Sequence, residues 1–188
     1  MSRETYHVQI AGLARELPLF EVAPGVRIAV FNLLGDAEVV AAAAGALAER
    51  LTHVDHDALV TAETKSVPLV YQLALITAKP WIVLRKAYKP YMGDAVHAET
   101  HSITTGAPQT LYLDEKDQAL VRGKRVVLVD DVISTGSTVD GMRELMEAVG
   151  ANVVAQAAVF TEGDERDDVV ALGHLPVFTA SSPAQSQS

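Results

Sequence analysis

The chain has 188 residues, of which 49% are hydrophobic, and a formal net charge of -9. This length suits one domain with a sizeable core, and the acidic balance argues against a general nucleic-acid surface. The sequence contains no cysteine, which excludes disulfide bonds and thiolate chemistry.

The sequence shows no targeting or membrane-spanning segment. The start, MSRETYHVQIAG, lacks a basic stretch followed by an apolar one, so we expect no signal peptide. No apolar run reaches the ~20 residues that a membrane-spanning helix needs. These observations predict a cytoplasmic protein that binds neither a membrane nor nucleic acid. Residues 1–180 are expected to form one domain, followed by a disordered polar tail at 181–188.

The N-terminal third predicts three strands followed by a helix. The expected strands are Tyr6–Ile10, Arg15–Val22 and Val26–Leu33, separated by turns that contain glycine. Asp36 is expected to cap the helix, and the Ala-rich segment Glu38–Leu51 has strong helix propensity.

The middle of the chain alternates strands with helices. Ala58–Thr61 predicts a short buried strand, Val67–Thr77 a helix, and Trp81–Leu84 a further strand. The segment Arg85–Gly106 has little periodicity and predicts a long, partly mobile loop. Thr110–Leu113 then predicts a strand in a position to pair with that loop.

The C-terminal part continues the alternation. The expected elements are a buried strand, a helix, a second buried strand and an edge strand. They are Val126–Val129, Val139–Val149 ending at Gly150, Val153–Thr161 and Leu175–Phe178. The acidic run Glu162–Asp168 follows the second buried strand.

Such an alternation predicts a parallel sheet that is covered by helices on both faces. Ligands of these sheets bind where the strands end, at the carboxyl edge. The loops expected to meet at that edge are those after Thr61, Leu84, Val129 and Thr161.

One stretch, RVVLVDDVISTGST, organises the rest of the chain. An apolar strand leads into Asp130 and Asp131, then into a turn of hydroxyl residues and glycine, and then into the helix. Free backbone amides at a helix start, with hydroxyl donors beside them, suit a phosphate. The residues of this candidate cradle are Ser134, Thr135, Gly136, Ser137 and Thr138. An ordinary strand-to-helix turn with a Ser or Thr cap is the alternative.

The two carboxylates narrow the kind of ligand, because they would repel a bare phosphate. They suit a ligand that presents hydroxyls or a divalent cation beside the phosphate, as a sugar phosphate does. VVLVDDVISTGST resembles the phosphoribosyl pyrophosphate (PRPP) signature of the type I phosphoribosyltransferases. The resemblance implies an α/β fold with a mainly parallel sheet, flanking helices and a small N-terminal hood. It also implies that the cradle binds the 5-phosphate, while Asp130 and Asp131 hold the ribose hydroxyls and Mg²⁺, directly or through hydroxyls or water.

The loop TAETKS, Thr61–Ser66, is a second candidate anion site. It follows a strand and precedes a helix, so its amides could face an anion, with Lys65 as a counter-charge. A polar loop without a ligand is the alternative. The loop resembles the acid-x-Arg-Gly pyrophosphate loop of adenine phosphoribosyltransferases. That resemblance implies PRPP contacts from Glu63, Thr64, Lys65 and Ser66.

A basic cluster follows the strand Trp81–Leu84. Beside a phosphate cradle, Arg85, Lys86 and Lys89 form a candidate diphosphate clamp, although such clusters are usually solvated surface. The adenine enzymes have a mobile loop here with a glutamate near the base. By this resemblance Glu99 is the candidate general acid or base.

The segment LPLFEVAPGVRIAVFNLLGD resembles the base pocket of the adenine family but departs from it at the key positions. The family's stacking Phe is Ile28, and its Arg-Asp pair is Ala29 and Val30. Loss of the stacking ring and its polar neighbours leaves the identity of the base open.

The resemblance implies transfer of ribose 5-phosphate from PRPP to a nitrogenous base, a purine first of all, with release of pyrophosphate. The implied partners are PRPP, a free nucleobase and a second copy in a homodimer. A PRPP-binding regulator or catalytically silent relative is the alternative. A binder of another sugar phosphate or nucleotide is the third possibility.

Overall fold

The computed structural model describes residues 4–100 and 109–179. The described residues form eleven strands, four α-helices and one short 3-10 helix. The strands are β1 Thr5–Ile10, β2 Leu13–Ala23, β3 Val26–Ala29, β4 Ala58–Ala62, β5 Trp81–Leu84, β6 Val96–Thr100, β7 Gln109–Leu113, β8 Arg125–Ile133, β9 Asn152–Glu162, β10 Val169–Leu175 and β11 Val177–Thr179. The α-helices are α1 Ala37–Arg50, α2 Val67–Thr77, α3 Glu115–Val121 and α4 Ser137–Ala148, and the 3-10 helix is Pro90–Met92.

A five-stranded parallel sheet lies at the centre, in the order β10, β9, β8, β4, β5. Side chains alternate along β8. Val127 and Val129 join one core, while Val126 and Leu128 join the other. This period of two places apolar residues on both faces of the sheet, as the unbroken apolar run predicted. The predicted α/β fold with flanking helices is confirmed.

Helices cover both faces of the sheet. The core on one face contains α1 and α2 together with strands of the N-terminal hood. The core on the other face contains α4, the end of α3 and strand β7. The side chain of Asp36 accepts a hydrogen bond from the backbone N–H of Val39 at 3.1 Å, so Asp36 caps α1 as predicted.

The hood is an antiparallel sheet in the order β1, β2, β3, β11. Its fourth strand comes from the C-terminal part of the chain, where Val177 lies opposite Ile28. The edge strand predicted at Leu175–Phe178 is therefore wrong in its bounds. Pro176, which lacks an N–H, separates β10 of the parallel sheet from β11 of the hood.

Further expectations differ from the structure. The apolar run Val26–Leu33 is a strand only to Ala29, although Phe31 and Leu33 beyond it are buried. Helix α3 was not predicted. The segment Arg85–Gly106 is not one long loop, because Val96–Thr100 pairs with β7 as an antiparallel hairpin.

The hairpin was missed because its strand β6 is short and carries charged or polar side chains at alternate positions. His97 and Glu99 are exposed, while Val96 and Ala98 pack against the core below α4. No helix among residues 4–100 and 109–179 is long and apolar enough to cross a membrane. The predicted tail at 181–188 and the end of the predicted loop lie outside the described residues.

An ion pair joins the amino-terminal ends of β4 and β8. The Arg125 guanidinium donates to both carboxylate oxygens of Asp57, at 3.0 and 3.1 Å, and the Arg125 backbone N–H donates at 2.9 Å. These hydrogen bonds hold the pKa of Asp57 well below its ordinary value.

A depressed carboxyl pKa stabilises the fold above the ordinary Asp pKa of about 3.9, and this contribution is lost as the pH falls through the folded value. We therefore expect the urea concentration at the midpoint of unfolding to decrease as the pH is lowered from 5 to 2. Asp57→Asn should lower the midpoint at pH 5 and reduce its dependence on pH. Asp167→Asn, an exposed control, should leave the pH profile unchanged. Equal pH profiles for the wild type and Asp57→Asn would contradict this account.

Candidate active site

The cradle residues lie at the carboxyl end of β8, where they form the turn before α4. Strand β8 was predicted to end at Val129, but it continues to Ile133. Asp130 and Asp131 therefore lie within the strand. Gly136 has φ +86° and precedes the first residue of α4. The turn, Asp130 and the neighbouring strand residues enclose a cavity of about 30 Å³. Free amides of a helix start and hydroxyl groups surround this small space, as an anion site requires.

The acidic pair contacts the TAETKS loop through Ser66. The Ser66 hydroxyl donates to Oδ1 of Asp130 at 2.6 Å and accepts from the backbone N–H of Asp131 at 3.0 Å. Ser66 is 1% exposed, so both hydrogen bonds are shielded from water. The predicted pyrophosphate loop and the acidic pair are thus brought together by the pairing of β4 with β8.

The two carboxylates form a concentration of negative charge. Burial and the neighbouring charge of Asp131 raise the pKa of Asp130 above its ordinary value, while the hydrogen bond from Ser66 acts in the opposite direction. Among the described residues, Oδ2 of Asp131 is buried and has no hydrogen-bond donor. Lys65 is the nearest cation, with Nζ 3.8 Å from that oxygen. The pair therefore has capacity for a hydroxyl donor or a further cation.

Glu63 connects the loop after β4 to the segment after β5. Glu63 forms an ion pair with the guanidinium of Arg85, and its carboxylate accepts from the backbone N–H of Lys86 at 2.9 Å. The peptide bond between Glu63 and Thr64 is cis. The Arg85 guanidinium therefore already has a carboxylate partner within the protein, in Glu63.

Other predicted residues lie further out. Lys86 and Lys89 have exposed side chains in the segment after β5, and Lys65 is 54% exposed. Glu99 is exposed on β6, opposite Thr110 of β7, rather than in a loop. The proposed acid-base role of Glu99 stays a prediction.

The sequence reasoning missed functional candidates in the segment after β9. Arg166 packs against the cradle so closely that a Cβ atom on Gly136 would lie 2.6 Å from Nη1 of Arg166. Asp168 fixes this guanidinium through two hydrogen bonds at 2.8 and 2.9 Å. The rule that loops meet at the carboxyl edge indicated this segment. Because most of its residues are acidic, Arg166 was not recognised as a candidate.

Comparison with known proteins places the chain in a family. The sequence pattern of the phosphoribosyl transferase domain matches residues 32–173, which is most of the chain. The chain belongs to the phosphoribosyl transferase domain family. The predicted type I phosphoribosyltransferase resemblance is confirmed.

Two curated relatives differ in what their names say they do. The chain is 26% identical over 161 residues to the purine biosynthesis transcriptional repressor PurR of Bacillus subtilis, covering 86% of this chain and 55% of the repressor. It is 30% identical over 125 residues to a hypoxanthine/guanine phosphoribosyltransferase of Methanothrix thermoacetophila, covering 66% of this chain and 62% of that enzyme. The chain thus spans less than two thirds of the length of these relatives.

Solved structures show the same fold. The adenine phosphoribosyltransferase of Thermoanaerobacter pseudethanolicus is 19% identical, with a TM-score of 0.64, covering 91% of this chain and 95% of that chain. The enzyme of Trypanosoma brucei, solved with AMP, pyrophosphate and ribose-5-phosphate, is 22% identical with a TM-score of 0.59. That match covers 69% of this chain and 55% of the other. At these identities the likeness concerns the fold alone.

The cradle depends on the missing side chain of Gly136. Alanine there would need a left-handed backbone, which costs about 1–2 kcal/mol, and would push against Arg166. We expect Gly136→Ala to lower the free energy of unfolding by at least that amount in a urea titration.

Gly45, in the interior of α1, provides the matched control. A Cβ atom there meets nothing within 4 Å, so Gly45→Ala should stabilise the protein by about 0.5–1 kcal/mol. Equal effects of the two substitutions would show that the cradle needs no glycine.

Proposed function

We propose that the protein transfers ribose 5-phosphate from PRPP to a ring nitrogen of a purine base, with release of pyrophosphate. The observation that carries this proposal is the contact between Ser66 and the acidic pair, directly beside the hydroxyl cradle. One contiguous surface then offers a phosphate cradle, acceptors for ribose hydroxyls and a cation for the diphosphate. Membership of the phosphoribosyl transferase domain family supports the same reaction.

Each part of the surface would bind one part of PRPP. Amides and hydroxyls of Ser134–Thr138 would hold the 5-phosphate, and Asp130 and Asp131 the ribose hydroxyls. Lys65, with Lys86 and Lys89, would neutralise the diphosphate as it leaves. The barrier is the departure of pyrophosphate from a sugar that becomes oxocarbenium-like. A protein lowers such a barrier by fixing the reactants and stabilising the separating charges.

We further propose that the acidic pair binds Mg²⁺ together with the substrate. Among the described residues no donor reaches the buried Oδ2 of Asp131, and the raised pKa of Asp130 indicates negative charge that its surroundings do not compensate. Within residues 4–100 and 109–179 no group of three or more His, Cys, Asp or Glu side chains could hold a metal by itself. Oxygen atoms of PRPP or water would therefore complete the shell that this hard cation prefers. When bound, the ion would supply charge neutralisation for the diphosphate.

A PRPP-binding regulator is the second candidate function. The likeness to the repressor PurR favours it, as does the replacement of the stacking Phe and Arg-Asp pair by Ile28, Ala29 and Val30. A regulator needs the sugar-phosphate site but not turnover of a base. The homodimer and the cytoplasmic location stay predictions.

Removing the charges of the acidic pair tests the PRPP site. We expect Asp130→Asn with Asp131→Asn to weaken Mg²⁺-dependent PRPP binding by about 100-fold or more, since each charge-assisted hydrogen bond is worth about 1.5–3 kcal/mol. Isothermal titration calorimetry with PRPP and MgCl₂ measures this loss. Glu144→Gln with Glu147→Gln, on the exposed face of α4, removes the same charge and should leave the affinity unchanged. Unchanged affinity in the Asp130 and Asp131 variant would refute the proposal.

A turnover assay separates the two candidate functions. The protein is incubated with PRPP, MgCl₂ and one free base at a time, namely adenine, hypoxanthine, guanine or xanthine, and pyrophosphate release is followed. Release with one base supports the transferase. PRPP binding without release with any base favours the regulator.

A further inference from the structure

A large cavity lies between the hood and the carboxyl edge of the parallel sheet. Its volume is about 880 Å³, within the range of roughly 300–1,000 Å³ found for small-molecule sites. The hood supplies an apolar wall that includes Val22, Ile28 and Val177, and the cradle supplies Ser134 and Thr135. A ligand in this cavity would therefore lie directly beside a sugar phosphate in the cradle.

Three polar side chains also line this cavity, and all come from the end of β9, the segment after it and β10. They are Glu162, Asp164 and His174. Thr161 and His174 lie opposite each other in the parallel register, with Oγ1 and Nδ1 2.9 Å apart. This hydrogen bond fixes the imidazole through Nδ1, so Nε2 is the ring nitrogen that remains for a ligand.

Glu162 is held in an environment that favours a hydrogen-bond donor. Its side chain is half-buried, and burial raises its pKa, while the charges of His174 and Lys65 act to lower it. Among the described residues no donor is hydrogen-bonded to its carboxyl group. A half-buried carboxylate without a donor is costly, and a ligand N–H would remove that cost.

We propose that Glu162 and His174 are the residues that recognise the base, in place of the missing polar pair at Ala29 and Val30. This inference rests on the proposed function. The Glu162 carboxylate accepts from a ring N–H or an exocyclic amine, and His174 Nε2 bonds a second heteroatom on the same edge of the base. Ile28 and Val22, on the hood wall, contact one face of the ring.

The chemistry of these groups defines the class of base. Neutral purines with an amino group or a lactam N–H present a donor beside a second polar atom. A base that carries a carboxylate is rejected, because Glu162 and Asp164 would repel it. The cavity thus favours neutral bases, here the purines of the proposed function, over anionic bases such as orotate.

Equilibrium binding isolates the base from the sugar phosphate. The probes are AMP, IMP, GMP and orotidine 5′-monophosphate, each compared with ribose 5-phosphate, which has no base. At least one purine nucleotide should bind the wild type more tightly than ribose 5-phosphate, and orotidine 5′-monophosphate should not. Glu162→Gln should weaken that nucleotide by about 10-fold or more and change ribose 5-phosphate by less than about twofold. Glu165→Gln, an exposed control in the same segment, should change neither.

The outcomes separate this inference from the function on which it rests. If the wild type binds no ribose 5-phosphate and no PRPP, the proposed function itself is wrong. If ribose 5-phosphate binds but no nucleotide binds more tightly, the sugar-phosphate site stands and the inference is wrong. If Glu162→Gln weakens both ligands equally, Glu162 acts through Lys65 and not on the base. His174→Leu, which replaces the imidazole by an apolar side chain of similar size, should give the same selective loss and provides a second test.

Discussion

The contact between Ser66 and the acidic pair is the interaction on which the candidate site depends. Its two hydrogen bonds join a loop after β4 to the middle of β8, two neighbouring strands of the same parallel sheet. Because Ser66 is buried, neither partner can exchange these bonds for water without cost. The position of Lys65, the residue before Ser66, is thereby coupled to the position of Asp131. A glycine here, as in the adenine enzymes that the loop resembles, would give freedom but not this link.

The sequence was informative where local chemistry and topology agree. VVLVDDVISTGST contains a strand, two acids, a turn and a helix start in one continuous run, so its structure needs few distant contacts. The convergence of Ser66 with Asp130 also followed, because loops after adjacent parallel strands meet at one edge. The bounds of β8 were less accurate, since carboxylates beside a loop look like the end of a strand. Pairing with β9 continues the strand to Ile133 instead.

What the sequence did not reveal depends on register and on distant segments. The environments of Glu162 and His174 are set by the alignment of β9 with β10, and an acidic run gives no sign of that alignment. The same is true of Arg166, which became a candidate only because it lies against Gly136, 30 positions away in the chain. Glu99 shows the reverse case. A family likeness suggested its role, and the structure places it on an exposed strand without deciding that role.

The hood has a consequence for how the protein is made. Strand β3 lies near the start of the chain, yet its outer neighbour β11 is synthesised about 150 residues later. Until residues 177–179 have left the ribosome, β3 presents an unpaired edge of the kind that recruits foreign strands. Pairing with β11 brings Val177 opposite Ile28 and closes one wall of the large cavity. A nascent chain thus completes its phosphate cradle, including Arg166, before it has a compartment for a base.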